Sequence, residues 1–496
     1  MVPKSFAIYA AILLGTLTLS SAAHAQSRTS NQSSQPAAQT AQGGQVAQGP
    51  VAPSTDIAKI SDEALVWLQD LVRIDTSNGN EIAAAKYVGT ILQRENIPFE
   101  IFESEPGRAT LVARLSSGSF PDPSKAILLL AHLDVVRVDK TKWSVDPFGG
   151  VIKDNYIWGR GVIDDKGMVA ANLATIVALK RSGARLNRDV ILLAEADEES
   201  GGRLGIKYMI EKHWDKIAAG FGLNEGGGPY LRSGKVQYVD VQAAEKVAVN
   251  ITVTATGPAG HASVPRPENA VVHLANAVAK IAAYEAPVQF NTITHAYFEG
   301  IAPFQDDETA KWMRALDTPD RKDHAARIIS QNPFWSSMLR DSISPTEMNA
   351  GFQTNVIPSI GTANLNVRLF PGNSPEPLIA KLSEVVNDPQ VRLELAPNPA
   401  QSTPSSSVDT DLYKTIALVA SSDFNGAPAV PQMSTFLTDS AALRLHSVQA
   451  YGLIPFPLAD QDVLLMHSDN ERLSLDAFRK GVIFLHDVVT KFSVQQ

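Results

Sequence analysis

The chain has 496 residues, 44% of them hydrophobic, 19% charged and none of them cysteine. At roughly 100–200 residues per domain that is enough for two or three domains with real cores, whereas a disulfide scaffold, a thiolate zinc site and a cysteine nucleophile are excluded. Lys plus Arg number 43 against 52 Asp plus Glu, a net charge of -9, which argues against nucleic-acid binding because phosphate contacts need clustered cations.

The first 25 residues read as a signal peptide. Lys4 gives a positive start, Phe6 to Leu19 is an apolar run, and Ala23-His24-Ala25 offers a small-x-small cleavage pattern. The run is short of the about 20 residues needed to span a bilayer. We therefore expect cleavage after Ala25, no stable membrane span afterwards, and a periplasmic or extracellular protein. No Cys follows the run, so a lipid anchor is excluded. Residues 26–55 are almost entirely Gln, Ser, Ala, Gly, Thr and Pro. Such a stretch cannot bury enough apolar surface to fold and is expected to be a disordered linker.

From Asp56 the pattern alternates between helix and strand. Ile60 to Leu71 has helical spacing, with Ser61 as the expected N-cap. Lys125 to Ala131 is a continuous apolar run, as in a strand buried on both faces. Met168 to Lys180 reads as a helix and Asp189 to Ala194 as a second buried strand. This order indicates an α/β fold with a mostly parallel sheet, in which ligands bind beyond the carboxyl ends of the strands.

Those strand ends carry the residues suited to chemistry. The first ends in His132-Leu133-Asp134, and alternation puts His132 and Asp134 on one side. A carboxylate there can fix the tautomer of a metal-bound imidazole, although a lone His in such a place is more often an ordinary polar residue. Next comes Gly159-Arg160-Gly161, followed by Asp164-Asp165-Lys166-Gly167 at a helix start. Capping and the helix dipole account for one of these acids comfortably and for two less well. The second strand runs into Glu195-Ala196-Asp197-Glu198-Glu199. A solvated acidic loop is the bland reading, but neighbouring carboxylates can divide metal binding and proton transfer between them. A further acid, Glu225, lies in Asn224-Glu225-Gly226-Gly227.

Together with Gly260-His261-Ala262-Ser263 and Met466-His467-Ser468, this ordered set resembles the M20 family of metallopeptidases from Asp56 to the C-terminus. The resemblance implies a two-zinc centre, with Co2+ or Mn2+ as replacements in vitro. Asp164 would bridge the metals, His132 and Glu225 would complete one site, and Glu199 and His467 the other. Three carboxylates against two divalent cations leave charge for one further anion. Glu198 would be the general base, Asp134 would orient His132, and the Asp164–Asp165 peptide would be cis.

The middle of the chain fits the family's inserted lid, an α+β, ferredoxin-like domain that often mediates dimers. Strands are expected at Val249 to Ala255, around Asn355 to Pro358, at Ala363 to Leu369 and near Val391, with helices at Asn269 to Tyr284 and Glu376 to Val386. The stretch from Ala286 to Ser344 is long for that lid and rich in Trp, Phe and His, as in the carboxypeptidase S branch. The domain reading is thus a catalytic domain at 56–246 and 399–496, with the lid at 247–398. His261 resembles the family His that reaches the substrate carbonyl, often from the opposite subunit; its bland reading is a turn histidine. Arg368 resembles the Arg that grips a substrate carboxylate, which suits a planar fork, although Asn366 stands where the family usually has Asp. Asn355 is expected to support the same pocket.

The sequence expectation is an exported zinc hydrolase acting on small peptides or N-acyl amino acids, with a possible homodimer through the lid. Carboxypeptidase or dipeptidase action, N-acyl amino acid hydrolysis and an inactive metal-binding scaffold all share the site. A serine hydrolase is the competing enzyme class, and no Gly-x-Ser-x-Gly elbow occurs to support it.

Overall fold

The two unbroken apolar runs form the centre of the main sheet. In this computed structural model, which describes residues 56–118 and 122–495, the strands Ile127–His132 and Val190–Glu195 are buried at every position. The expected signal peptide and linker lie outside the described residues. Ile127, Leu129 and Ala131 enter the core on one face, Leu128 and Leu130 the core on the other. Each such Leu contributes about 1.5–3 kcal/mol by leaving water, and only a strand covered on both sides can use a continuous apolar run.

The large sheet runs in the order Phe99–Glu105, Arg108–Leu115, Val190–Glu195, Ile127–His132, Phe221–Asn224, Gln449–Gly452, Lys235–Glu245 and Ala429–Ser434, with Gly228–Arg232 pairing beside Lys235–Glu245. Its four middle strands are parallel to one another, as the α/β reading requires. Helices Ile57–Arg73, Lys166–Ser182 and Leu475–Ser493 cover one face, and Ile206–Ile217 and Ser440–Leu445 the other. Among the described residues no helix is long and apolar enough to cross a membrane.

The first helix begins earlier than expected. Asp56, not Ser61, is its N-cap and accepts the Lys59 amide. Ser61 is buried inside the helix, its hydroxyl donating to the Ala58 carbonyl at 2.7 Å.

The inserted unit is a four-stranded antiparallel sheet, in the order Ser342–Ala350, Ile360–Leu369, Val247–Thr256 and Val391–Leu395. Helices Ala270–Ala282 and Pro375–Val386 pack on it around a separate core that includes Ile251, Val253, Leu274, Leu365 and Leu382. The strand Ser342–Ala350 escapes sequence reading because it is polar and contains Pro345. It lies at the sheet edge with a register shift beside that proline, where a missing backbone donor is tolerated.

The stretch between the inserted unit's two halves departs from the expected boundary. Helices Thr292–Ile301, Asp307–Ala315, Lys322–Ile329 and Pro333–Met338 place Tyr297, Phe298, Met313, Ile329 and Met338 in the core of the large sheet, not in that of the lid. Thr292–Ile301 packs on the strand Ala429–Ser434, and Gly300 meets Val430 so closely that a Cβ there would lie 2.9 Å from a valine methyl. Residues 286–341 therefore pack with the large-sheet unit although the chain inserts them within the 247–398 segment.

Candidate metal centre and cleft

The parallel strands end side by side, so the loops after them converge. His132 is 1% exposed. Its Nδ1 lies 2.9 Å from the carbonyl oxygen of Asp134 and 3.6 Å from that residue's carboxylate. A proton on Nδ1 donated to this carbonyl leaves the Nε2 lone pair facing outward. Nε2 lies 2.9 Å from Asp164 Oδ1 and 3.9 Å from Glu225 Oε2. The other Asp164 oxygen is 2.9 Å from His467 Nε2, which also meets Glu199 at 3.1 Å. Asp164 thus presents one oxygen to each of two imidazoles, and its peptide bond to Asp165 is cis.

The acids of the Asp197-Glu198-Glu199 run have three separate tasks. Asp197, with φ 72°, binds Arg108 Nη2 at 2.9 Å and accepts the Leu204 amide at 2.9 Å, which fixes the turn. Glu198 faces the cleft, and Glu199 reaches His467. Asp134 does more than steady His132, because its carboxylate accepts the backbone amides of Glu198 and Glu199 at 3.2 and 3.1 Å. Asp134, two residues beyond the strand Ile127–His132, therefore positions both that strand's imidazole and the acids after the neighbouring strand Val190–Glu195.

A second anchor has no counterpart among the expected site residues. Glu471 is fully buried. It accepts Arg160 Nη1 at 2.6 Å and the amides of Gly161, Ile163 and Asp164 at 3.0, 2.8 and 3.3 Å. Arg160 also donates to the Ser468 carbonyl at 3.0 Å. This buried pair joins the loop bearing Asp164 to the loop bearing His467. Arg160 lies in the quoted Gly159-Arg160-Gly161 motif and Glu471 four residues after His467, and nothing local indicates that they meet.

The electrostatics of the cluster call for positive charge. Burial acts against an ionised Asp164, yet hydrogen bonds from His132 and His467 hold it well below the usual carboxylate range. Burial, then the Asp164 charge, pushes Glu225 up. Burial and the Glu225 charge push Glu198 up to about 11. Hydrogen bonds to Asp164 and Glu199 raise His467 to about 10. His132, Asp164 and Glu199 offer atoms all within 4.8 Å of one another, and so do His132, Glu198 and Glu225. Converging carboxylates and imidazoles of this kind fit zinc, which takes nitrogen and oxygen donors.

These groups open into a cleft of about 1360 Å³, lined also by Arg368, Asp439, Lys207 and His446. Arg368 is half-buried on Ile360–Leu369, and its Nε donates to Asn366 Oδ1 at 3.1 Å, so the Asn366 amide holds the guanidinium. His261 and Asn355 do not line this cleft. They sit together on the lid's exposed two-stranded ribbon, where the Ala262 amide donates to the Asn355 carbonyl and His261 Nδ1 accepts the Ser263 amide at 3.1 Å. His446 is exposed at the cleft wall.

The sequence model described as peptidase family M20/M25/M40 matches residues 128–491. A Dictyostelium discoideum protein named "probable carboxypeptidase S-like 2" is 29% identical over 74% of this chain and 71% of its own length. The N-fatty-acyl-amino acid synthase/hydrolase of Xenopus tropicalis is 29% identical over 72% of this chain and 70% of its own. Among solved structures, an M20 family metallo-carboxypeptidase from Sulfolobus solfataricus superposes with a TM-score of 0.63 at 18% identity, covering 87% of this chain and 99% of that one.

Proposed function

The chain belongs to peptidase family M20/M25/M40, and from that premise we propose that it is an exported two-zinc hydrolase that cuts an amide or peptide bond next to a free carboxylate. The observation that carries this reading is Asp164, with one oxygen on each of two imidazoles, in a cleft that also holds Glu198 and Arg368. Arg368 takes the substrate carboxylate through its planar fork. Zinc ions held by His132, Asp164 and Glu225, and by Asp164, Glu199 and His467, would lower the pKa of the attacking water and polarise the scissile carbonyl. Glu198 takes the proton of that water and passes it to the leaving amine. Asp134 keeps Glu198 in place through its backbone amide.

A second reading, hydrolysis of N-acyl amino acids, draws support from the cleft's apolar side chains. Phe334, Phe436, Leu445, Val463 and Leu464 line it and are all exposed, which suits an acyl chain better than a polar peptide. A homodimer through the lid belongs to the proposal as well, since His261 and Asn355 would meet substrate in the cleft of a second copy. Export is inferred from residues 1–25 and predicts a mature chain starting at Gln26.

The test is amine release by the zinc-loaded protein from parallel sets of dipeptides and N-acyl amino acids, with and without a chelator. Chelator-sensitive release supports the metallohydrolase, and the faster set identifies the substrate class. Release that persists after the metal has been removed contradicts the proposal. The mass of the chain recovered from the periplasmic or culture fraction tests export, and a full-length chain confined to the cytoplasm contradicts it.

A further inference from the structure

The cleft has more wall than one amide and its adjoining carboxylate can use. Its about 1360 Å³ exceeds the about 300–1,000 Å³ of an ordinary small-molecule site. Past the metal ligands it extends along Gly226 to Tyr230, Asp240, Gln432 and Phe334. This stretch is built by the Gly228–Arg232 and Lys235–Glu245 hairpin, the strand Ala429–Ser434 and the helix Pro333–Met338.

Asp240 is poorly compensated for an acid in such a place. Its Oδ1 has no hydrogen-bond partner, and its Oδ2 has the Gln432 amide at 3.5 Å. Gly228 lies directly opposite it in the hairpin and adds no side chain over the carboxylate. Burial alone pushes its carboxyl up to about 8. Tyr230, which lines the same stretch, stacks on Tyr238 at 5.0 Å, and Tyr238 lies 5.4 Å from Phe304. The Tyr230 hydroxyl donates to Asp460 at 3.1 Å, which keeps a second carboxylate near this wall. A part-buried acid without an ion-pair partner carries an unmet electrostatic cost. Acid and ring faces together are complementary to a cation.

We propose that Asp240 and the Tyr230 wall form a second recognition lobe for an ammonium or guanidinium group on the acyl half of the substrate, several bonds from the scissile amide. The assignment to the acyl half rests on the hydrolase reading above, in which Arg368 takes the carboxylate half. The lobe selects substrates and takes no part in bond breaking.

The test uses the zinc-loaded full chain and N-acyl alanines whose acyl chains of two to eight carbons end in either methyl or ammonium. At one chain length or more the ammonium-ended substrate should be preferred in kcat/KM by roughly tenfold or more. The Asp240→Asn variant should lower that ratio by a similar factor, and Asp240→Glu should restore it, with the best chain length shifted. Metal content of each variant, equal to wild type, shows that the centre is intact. A preference for methyl ends at every length, or an Asp240→Asn ratio equal to that of wild type, overturns the lobe while leaving the hydrolase standing. Absence of chelator-sensitive hydrolysis across the whole series overturns the hydrolase reading and the lobe with it.

Discussion

The two imidazoles on Asp164 occupy opposite surroundings. His132 is 1% exposed, at the end of a strand buried on both faces, with its Nδ1 held by the Asp134 carbonyl. The His467 side chain is 54% exposed, and the residue has a left-handed backbone, φ 60°, in a loop. One half of the centre is therefore fixed by the sheet, while the other depends on a loop whose anchor is the buried Glu471 and Arg160 pair. On the proposed two-metal reading, rigid positioning on one side and a tethered ligand on the other predict unequal sites, tight at His132 and Glu225 and more labile at Glu199 and His467.

The largest effect should come from cutting the tether between the halves. Glu471→Ala leaves Arg160 buried without its partner, which costs about 3–5 kcal/mol, and frees both ligand loops. Chemical denaturation should show that loss, and metal affinity should fall by about 10–100-fold. An unchanged unfolding midpoint and metal content would show that the loops hold themselves.

His467→Ala should retain one metal per chain under conditions in which the wild type holds two, whereas His132→Ala should lose metal from both halves because Asp164 then lacks its buried partner. Metal counting after dialysis separates the two cases, and equal losses would erase the asymmetry. Stepwise removal from the wild type by a weak chelator should show the same order, with one metal leaving before the other.

The smallest effect concerns recognition. Arg368→Ala should raise KM by roughly tenfold or more for substrates with a free carboxylate and leave metal content unchanged. Arg368→Lys should recover only part of the loss, because the ammonium lacks the planar fork. Equal KM values for free and amidated substrates in the wild type would remove Arg368 from the carboxylate role.

His132, Glu198, Glu199 and Glu225 stand out in the sequence because they follow apolar strands whose ends the topology brings together, whereas Asp164 at a helix start and His467 in a loop stand out only through their motifs. The lid's two helices and the strands Val247–Thr256, Ile360–Leu369 and Val391–Leu395 were legible from their hydrophobic pattern, whereas the polar edge strand Ser342–Ala350 was not. What escaped depends on contacts between distant parts of the chain. Arg160 and Glu471 are 311 residues apart, and no local pattern announces a buried pair. The helices of 286–341 have ordinary amphipathic sequences, so which core they join is decided only by surfaces such as Val430 against Gly300. The Ser61 capping expectation failed because Asp56, a better placed acceptor, begins the helix one turn earlier.

The most direct test of the account is metal content and amine release measured together on Glu198→Ala. A proton-transfer role separate from metal binding predicts two metals per chain, as in the wild type, and turnover lower by roughly 10²–10⁴-fold. Turnover at the wild-type rate with both metals bound would contradict it.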